Sequence, residues 1–155
     1  MCRACYLLFG NPGAGGGRYR AVPERYIRVT APVLSDEQWL EFQIPVGVAF
    51  FLHNSSQNRT LAFYPSPAGA TESAVPINSW RKVLDANPNL RSLQPDVEAL
   101  LVSRLPGCCC AFIIPIDACY ELVGRIRQHW RGFNGGEEAW LEIDAFFSAV
   151  RDRAL

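Results

Sequence analysis

The pattern that most constrains the fold is a pair of apolar runs with a short polar connection. The runs are VGVAFFLH (46–53) and RTLAFYP (59–65), and NSSQN (54–58) joins them. Each run has the length and the aromatic and β-branched content of a strand. A short polar turn between two such runs is typical of antiparallel pairing. The sequence therefore predicts a β-hairpin over residues 46–65.

Further strands and helices follow from the spacing of apolar residues. One or two strands, interrupted at Pro23, are predicted over 18–29, and a buried strand over 108–116. SPAGATES (66–73) is predicted to be a loop. Helices are predicted at 35–43 with Ser35 as N-cap, and at 78–87, 95–105, 117–130 and 137–154. This order predicts an α+β fold, a small, mostly antiparallel sheet with about four or five helices packed on it.

Residues 1–17, MCRACYLLFGNPGAGGG, differ in composition from the rest of the chain. They hold two cysteines, a short apolar run and five glycines between Gly10 and Gly17. The glycines lack the Lys-Ser/Thr ending of a phosphate-binding loop, which favours a hinge. We predict a short N-terminal Cys-x-x-C knuckle (half of a zinc knuckle) with a Gly-rich connection over 1–17, and a single α+β domain over 18–155.

Charge and hydropathy narrow the possible classes of function. Lys+Arg 15 balance Asp+Glu 15, so the basic excess of a nucleic-acid-binding protein is absent from the sequence. No apolar run reaches the roughly 18–20 residues of a membrane span, and we find no signal-peptide pattern. We therefore expect a cytoplasmic protein whose six cysteines are thiols or metal ligands rather than a disulfide framework.

Cys2 and Cys5 form a Cys-x-x-C pair, which can supply two of the four ligands of a structural zinc site. The other ligands could come from the cysteines at 108–110, from His53, or from a second copy of the chain in a homodimer. The alternative is a half-site without metal, since two ligands bind zinc too weakly to organise a chain terminus. A thioredoxin-like redox pair is less favoured at this position.

The remaining cysteines favour core packing. Cys108, Cys109 and Cys110 lie on a predicted strand, where only Cys108 and Cys110 share a face. Cys119 lies on the apolar stripe of a predicted helix, about 15 Å from His129 along that helix. All four are interpreted as small buried side chains.

Two segments are candidates for binding a partner or a ligand. In YPSPAGATES, small residues allow close approach of another molecule, and the polar side chains of Ser66, Thr71, Glu72 and Ser73 could face it. The alternative is a loop that turns over its own core. In WRGFNGG, the residues Trp130, Arg131 and Phe133 form an aromatic and cationic patch of the kind enriched at interfaces, beside a Gly-Gly helix end.

Several stretches together resemble an uncharacterised, mostly actinobacterial family whose genes lie near those of nickel–iron hydrogenases. They are CRACYLLF, PGAGGGRYRAVPERY, IPVGVAFF, YPSPAGATES, PDVEALLV and PIDACYELVGRIRQHWRGFNGGEEAWLEIDAFF. The resemblance covers nearly the whole chain in the same order. It implies a further Cys-x-x-C pair upstream, so this chain resembles a member shortened at its N-terminus. It implies a hydrogenase setting and no catalytic residues.

An enzyme is disfavoured, because the chain has two His, no carboxylates paired at catalytic spacing and no nucleophile elbow. The first hypothesis is a non-catalytic accessory or adaptor protein of a nickel–iron hydrogenase system that docks a protein partner. A metal-delivery or thiol redox protein using Cys2 and Cys5 is the alternative. A small-molecule binding module or hydrolase using residues 66–73 is the third.

Overall fold

The computed structural model describes Cys5 and residues 19–155. Within these residues, the strands are β1 (Ile27–Val29), β2 (Val48–Asn54), β3 (Arg59–Ser66), β4 (Gly69–Val75), β5 (Glu98–Leu105) and β6 (Cys108–Pro115). The helices are α1 (Asp36–Glu41), α2 (Ile77–Ala86), α3 (Ile116–His129) and α4 (Gly136–Arg153), and a 3-10 helix follows α2 at Pro88–Ser92.

All six strands form one antiparallel sheet in the order β1-β6-β5-β2-β3-β4. The sheet is covered on both faces, and alternate residues of the central strands enter separate cores. On β6, Phe112 enters the core beneath α3 and α4, whereas Ile113 enters the core beneath α1 and α2. This arrangement confirms the α+β class, with helices on two faces of the sheet.

The predicted hairpin is confirmed. β2 and β3 pair in register from Phe50–Phe63 to Asn54–Arg59, and the rings of Phe50 and Phe63 stack at 5.0 Å. Helix α1 also begins where predicted, because Ser35 and Gln38 form a reciprocal capping box. The helix of 78–87, the strand of 108–116 and the helices of 117–130 and 137–154 are confirmed within a few residues.

Two predictions are wrong, and a third is confirmed only in part. Residues 95–105, predicted as a helix, form a turn at 95–97 followed by strand β5, whose apolar residues are buried between β2 and β6. Residues 66–73, predicted as a loop, end β3 and form most of β4. Of the one or two strands predicted over 18–29, the described residues show one, since 27–29 pairs with the sheet and 19–26 are outside any strand. The N-terminal knuckle lies outside the described residues, except for Cys5.

The two edges of the sheet differ. Beside β1, Arg28 N donates to the carbonyl of Leu155 and Leu155 N donates to that of Tyr26, both at 3.2 Å. The C-terminus therefore closes that edge. At the other edge, β4 exposes the side chains of Thr71, Glu72 and Ala74, and it carries the first of the two candidate segments.

Candidate functional site

The β3–β4 hairpin contains the candidate residues of the first segment and separates them. Ser66 pairs with Gly69 across a two-residue turn, and its hydroxyl is buried without a hydrogen-bond partner among the described residues. Ser73 Oγ donates to the carbonyl of Phe42 at 2.7 Å, so it stabilises the fold. Thr71 and Glu72 are exposed on β4, and Glu72 forms a long ion pair with Arg59 at 3.9 Å.

The turn of this hairpin packs against helix α3. Gly69 has φ +95°, and a Cβ at this position would lie 2.8 Å from Cγ1 of Val123. Only glycine allows both this conformation and this close approach. Four residues further along α3, Arg127 Nε donates to the carbonyl of Ala68 at 3.2 Å. The hairpin turn and the C-terminal half of α3 are therefore one unit.

Helix α3 leads directly into the second candidate segment, the turn of residues 130–135. Arg131 N donates to the carbonyl of Gly135 at 2.8 Å, which closes the turn. The Trp130 ring lies against Gly135, where a Cβ would be 3.0 Å from the ring, and Trp130 Nε1 donates to the carbonyl of Gly132 at 3.0 Å. Trp130 thus holds the turn and is only partly exposed.

The same turn presents Phe133 to solvent. Its exposure is 101%, so the ring makes almost no contact with the other residues that the structure describes. Arg131 is also exposed, and its guanidinium donates to the carbonyls of Gln128 and Trp130. Of the three residues predicted here, Phe133 and Arg131 are available to a partner, and Trp130 positions them.

The two candidate segments meet through α3. Arg127 touches the hairpin turn, and the turn of 130–135 begins three residues later, about 5 Å along the helix axis. We call this surface the docking end and define it as residues 66–69, Arg127 and residues 130–135. It combines a fully exposed aromatic ring with two exposed guanidinium groups, a combination enriched at interface hot spots.

The sequence predicts that the cysteines at 108–110 are buried in the core, and the structure corrects this prediction in part. Cys110 is buried, but Cys108 is half-buried and Cys109 is exposed on the opposite face. Cys108 Sγ and Cys110 Sγ are 3.6 Å apart, and Arg151 Nη2 on α4 donates to Cys108 Sγ at 3.4 Å. We call Cys108 and Cys110 the thiol pair. Cys119 is fully buried as predicted, and burial raises the pKa of its thiol.

Of the two cysteines in the predicted zinc site, the structure describes only Cys5. Cys2 lies outside the described residues, and the side chain of Cys5 is exposed. In the part of the chain that the structure describes, no group of three or more His, Cys, Asp or Glu side chains could hold a metal ion. The thiol pair supplies two such side chains, and His53 instead makes a 2.9 Å hydrogen bond to Thr60.

A cavity of about 240 Å³ lies between α2, the 3-10 helix and the ends of β2 and β3. Its walls are mostly apolar, with Trp80 and Leu90 among them, and Arg81 and Arg91 contribute positive charge. Its volume is below the roughly 300–1,000 Å³ of typical ligand pockets. Its lining includes no residue of 66–73. The cavity therefore gives no support to a small-molecule binding module or hydrolase that uses residues 66–73.

These features define an α+β domain built on a doubly covered antiparallel sheet, with a rigid exposed surface at one end of α3 and α4. The chain belongs to DUF5947, a family of unknown function, whose model matches residues 1–154. No curated protein and no solved structure matches the chain. Across the described residues, none of the helices combines the length and the apolar character needed to cross a membrane.

Proposed function

We propose that this protein is a non-catalytic accessory protein that binds a protein partner through the docking end. The observation that carries the proposal is the full exposure of Phe133 on a turn fixed by its own hydrogen bonds. Exposing an entire phenylalanine ring to water is unfavourable by about 1.5–3 kcal/mol relative to burying it. A partner that covers the ring would recover that free energy.

The rigidity of the turn supports a binding role. The closure between Arg131 and Gly135, the indole of Trp130, and a 2.8 Å bond from Trp140 Nε1 to the carbonyl of Asn134 all restrict it. A surface that is already ordered loses little conformational entropy when it binds. Phe133 would then act as the anchor, and Arg127 and Arg131 would favour a partner with carboxylates around an apolar pocket.

The resemblance found in the sequence suggests the partner. We propose a component of a nickel–iron hydrogenase system in the cytoplasm, which is the setting that this resemblance implies. The metal-delivery alternative, in which Cys2 and Cys5 hold zinc or pass a metal to the same system, makes a different prediction. It requires the cysteines for partner function, whereas docking through Phe133 does not.

Calorimetric titration against purified hydrogenase structural subunits and maturation proteins tests the proposal. We expect one of them to bind, and Phe133→Ala to weaken binding by about 2 kcal/mol, roughly 30-fold. Leu40→Ala is the matched control, because Leu40 is a large exposed apolar residue on α1, on the other face of the sheet. Changing Cys2 and Cys5 to Ser should leave affinity unchanged. Equal losses at Phe133 and Leu40, or no binding, would refute the proposal.

A further inference from the structure

We propose that Cys108 is a site of reversible thiol–disulfide exchange with low-molecular-weight disulfides, and that Arg151 and Cys110 are its positioning residues. This site is separate from the docking end and does not depend on the function proposed above. It rests on three features of the thiol pair: the placement of the two sulfur atoms, the charge beside them, and the open cavity in front of Cys108.

The two sulfur atoms have different environments. Cys108 lies at the start of β6 and is half-buried, whereas Cys110 is buried, 6% exposed. They lie on the same face of the strand with 3.6 Å between the sulfur atoms. A reagent can therefore reach Cys108, and Cys110 is behind it.

Charge and protonation also separate the two groups. Burial, followed by the hydrogen bond to Cys108 and the charge of Cys108, raises the pKa of Cys110 to about 11, while Arg151 acts in the opposite direction. Cys110 therefore keeps its proton at neutral pH and can donate it toward Cys108. Arg151 Nη2 lies 3.4 Å from Cys108 Sγ. A partly exposed sulfur beside a guanidinium is the environment in which reactive cysteines occur.

An open cavity of about 380 Å³ gives access to Cys108. It is lined by the β5–β6 turn and by side chains of α4, including Phe147, Asp144 and Arg151. Leu105 at the end of β5 is half-buried and offers an apolar wall for the carbon chain of a reagent. A small disulfide fits this volume without displacing a strand or helix.

The exchange balances without a further reactant. The Cys108 thiolate attacks one sulfur of the disulfide, a bond forms between the two sulfur atoms, and the original S–S bond breaks. The leaving thiolate takes a proton from water, and the protein retains a mixed disulfide at Cys108. A free low-molecular-weight thiol reverses the reaction by the same steps.

The strand geometry stops the reaction at this stage. Alternate residues of an extended strand are about 6.4–6.8 Å apart, at the upper limit of the Cα separation that a disulfide spans. Cys108 and Cys110 are held in this geometry by pairing with Leu105 and Ser103 of β5. Closing a bond between them would distort the sheet, so Cys110 does not displace the attached group.

The test measures modification rates residue by residue in the folded full-length protein. The probe is hydroxyethyl disulfide, which is uncharged and so is not steered by Arg151, and tandem mass spectrometry locates the product. Cys109 is the matched control, because it is adjacent and more exposed, and it lies opposite Arg104. The guanidinium of Arg104 is paired with Asp36 and lies over the Trp39 ring. Cys109 thus has a nearby arginine that is already engaged by other groups.

We expect Cys108 to react at least about tenfold faster than Cys109 and to retain one hydroxyethylthio group. Arg151→Met should remove most of this difference, and Arg151→Lys should restore much of it, while urea denaturation confirms that both variants are folded. An equal or faster rate at Cys109, an unchanged Cys108 rate in folded Arg151→Met, or loss of two hydrogens in an internal disulfide would each overturn the proposal.

Discussion

The ion pair between Arg25 and Glu98 attaches the segment before β1 to the sheet. The Glu98 side chain is 0% exposed, and Arg25 Nε and Nη2 donate to its two oxygen atoms at 2.5 and 2.8 Å. The backbone N–H of Gln94 donates to the same carboxylate at 2.9 Å. Hydrogen bonding to Glu98 raises the pKa of Arg25, so the guanidinium remains charged.

Arg25→Met would leave this buried carboxylate with Gln94 N as its one donor within the described part of the chain. Removing one member of a buried ion pair costs about 3–5 kcal/mol. The Arg25 side chain is 37% exposed, so water can replace part of its contribution. We therefore expect a loss of about 3 kcal/mol in the free energy of unfolding, which corresponds to a fall in Tm of roughly 6–12 °C for a domain of this size.

Urea denaturation followed by tryptophan fluorescence measures this loss, with thermal unfolding as a second readout. The control is the double variant Arg25→Met/Glu98→Gln, because the neutral amide still accepts from Gln94 N and carries no charge to desolvate. It should recover at least about half of the lost stability. A loss below about 1 kcal/mol in Arg25→Met, with no recovery in the double variant, would show that the carboxylate is solvated and refute the reasoning.

Three further outcomes are expected. Gly135→Ala should lower the free energy of unfolding in urea by about 1–3 kcal/mol, because position 135 has φ +95° and its Cβ would contact the Trp130 ring. The loss should exceed that of Gly132→Ala, where φ is +67° and the space around the Cβ is open. Burial raises the pKa of Asp96, but hydrogen bonds from Ser55 and nearby positive charge lower it overall. Ionised Asp96 therefore stabilises the folded protein at pH values above the pKa that Asp96 has in the unfolded chain. The stability difference between wild type and Asp96→Asn should then shrink as pH falls below about 4, and a constant difference would contradict this. Cys119 is fully buried with a raised pKa, so its alkylation by iodoacetamide should require unfolding, and rapid native labelling would contradict its placement.

Local sequence signals are sufficient to predict helix α1 and the β2–β3 hairpin. The N-cap at Ser35 and the polar turn at 54–58 depend on interactions within a few residues, so they can be recognised from the sequence alone. The sequence wrongly predicts a helix at 95–105 because a strand buried on both faces has a nearly continuous apolar run, which lacks the alternation that identifies a strand. Its partners, β2 and β6, decide the conformation.

The candidate sites show the same limit. Alternation along a strand correctly placed Cys108 and Cys110 on one face, but Arg151 lies 43 residues away in sequence and could not be assigned to them. The sequence predicts Trp130, Arg131 and Phe133 as one patch. The structure distinguishes their roles, because Trp130 contacts Gly135 and Gly132 and holds the turn, whereas Phe133 is fully exposed.

The docking end depends on a contact that joins two distant segments of the chain. A Cβ at Gly69 would lie 2.8 Å from Cγ1 and 2.9 Å from the carbonyl oxygen of Val123, so a side chain there would push the hairpin turn away from α3. With glycine, the turn remains close and Arg127 bonds to it. Because α3 runs directly into the turn that carries Phe133, fixing the helix to the hairpin also fixes Phe133 relative to the sheet. The two halves of the docking end, about 60 residues apart in sequence, are therefore held together as one surface.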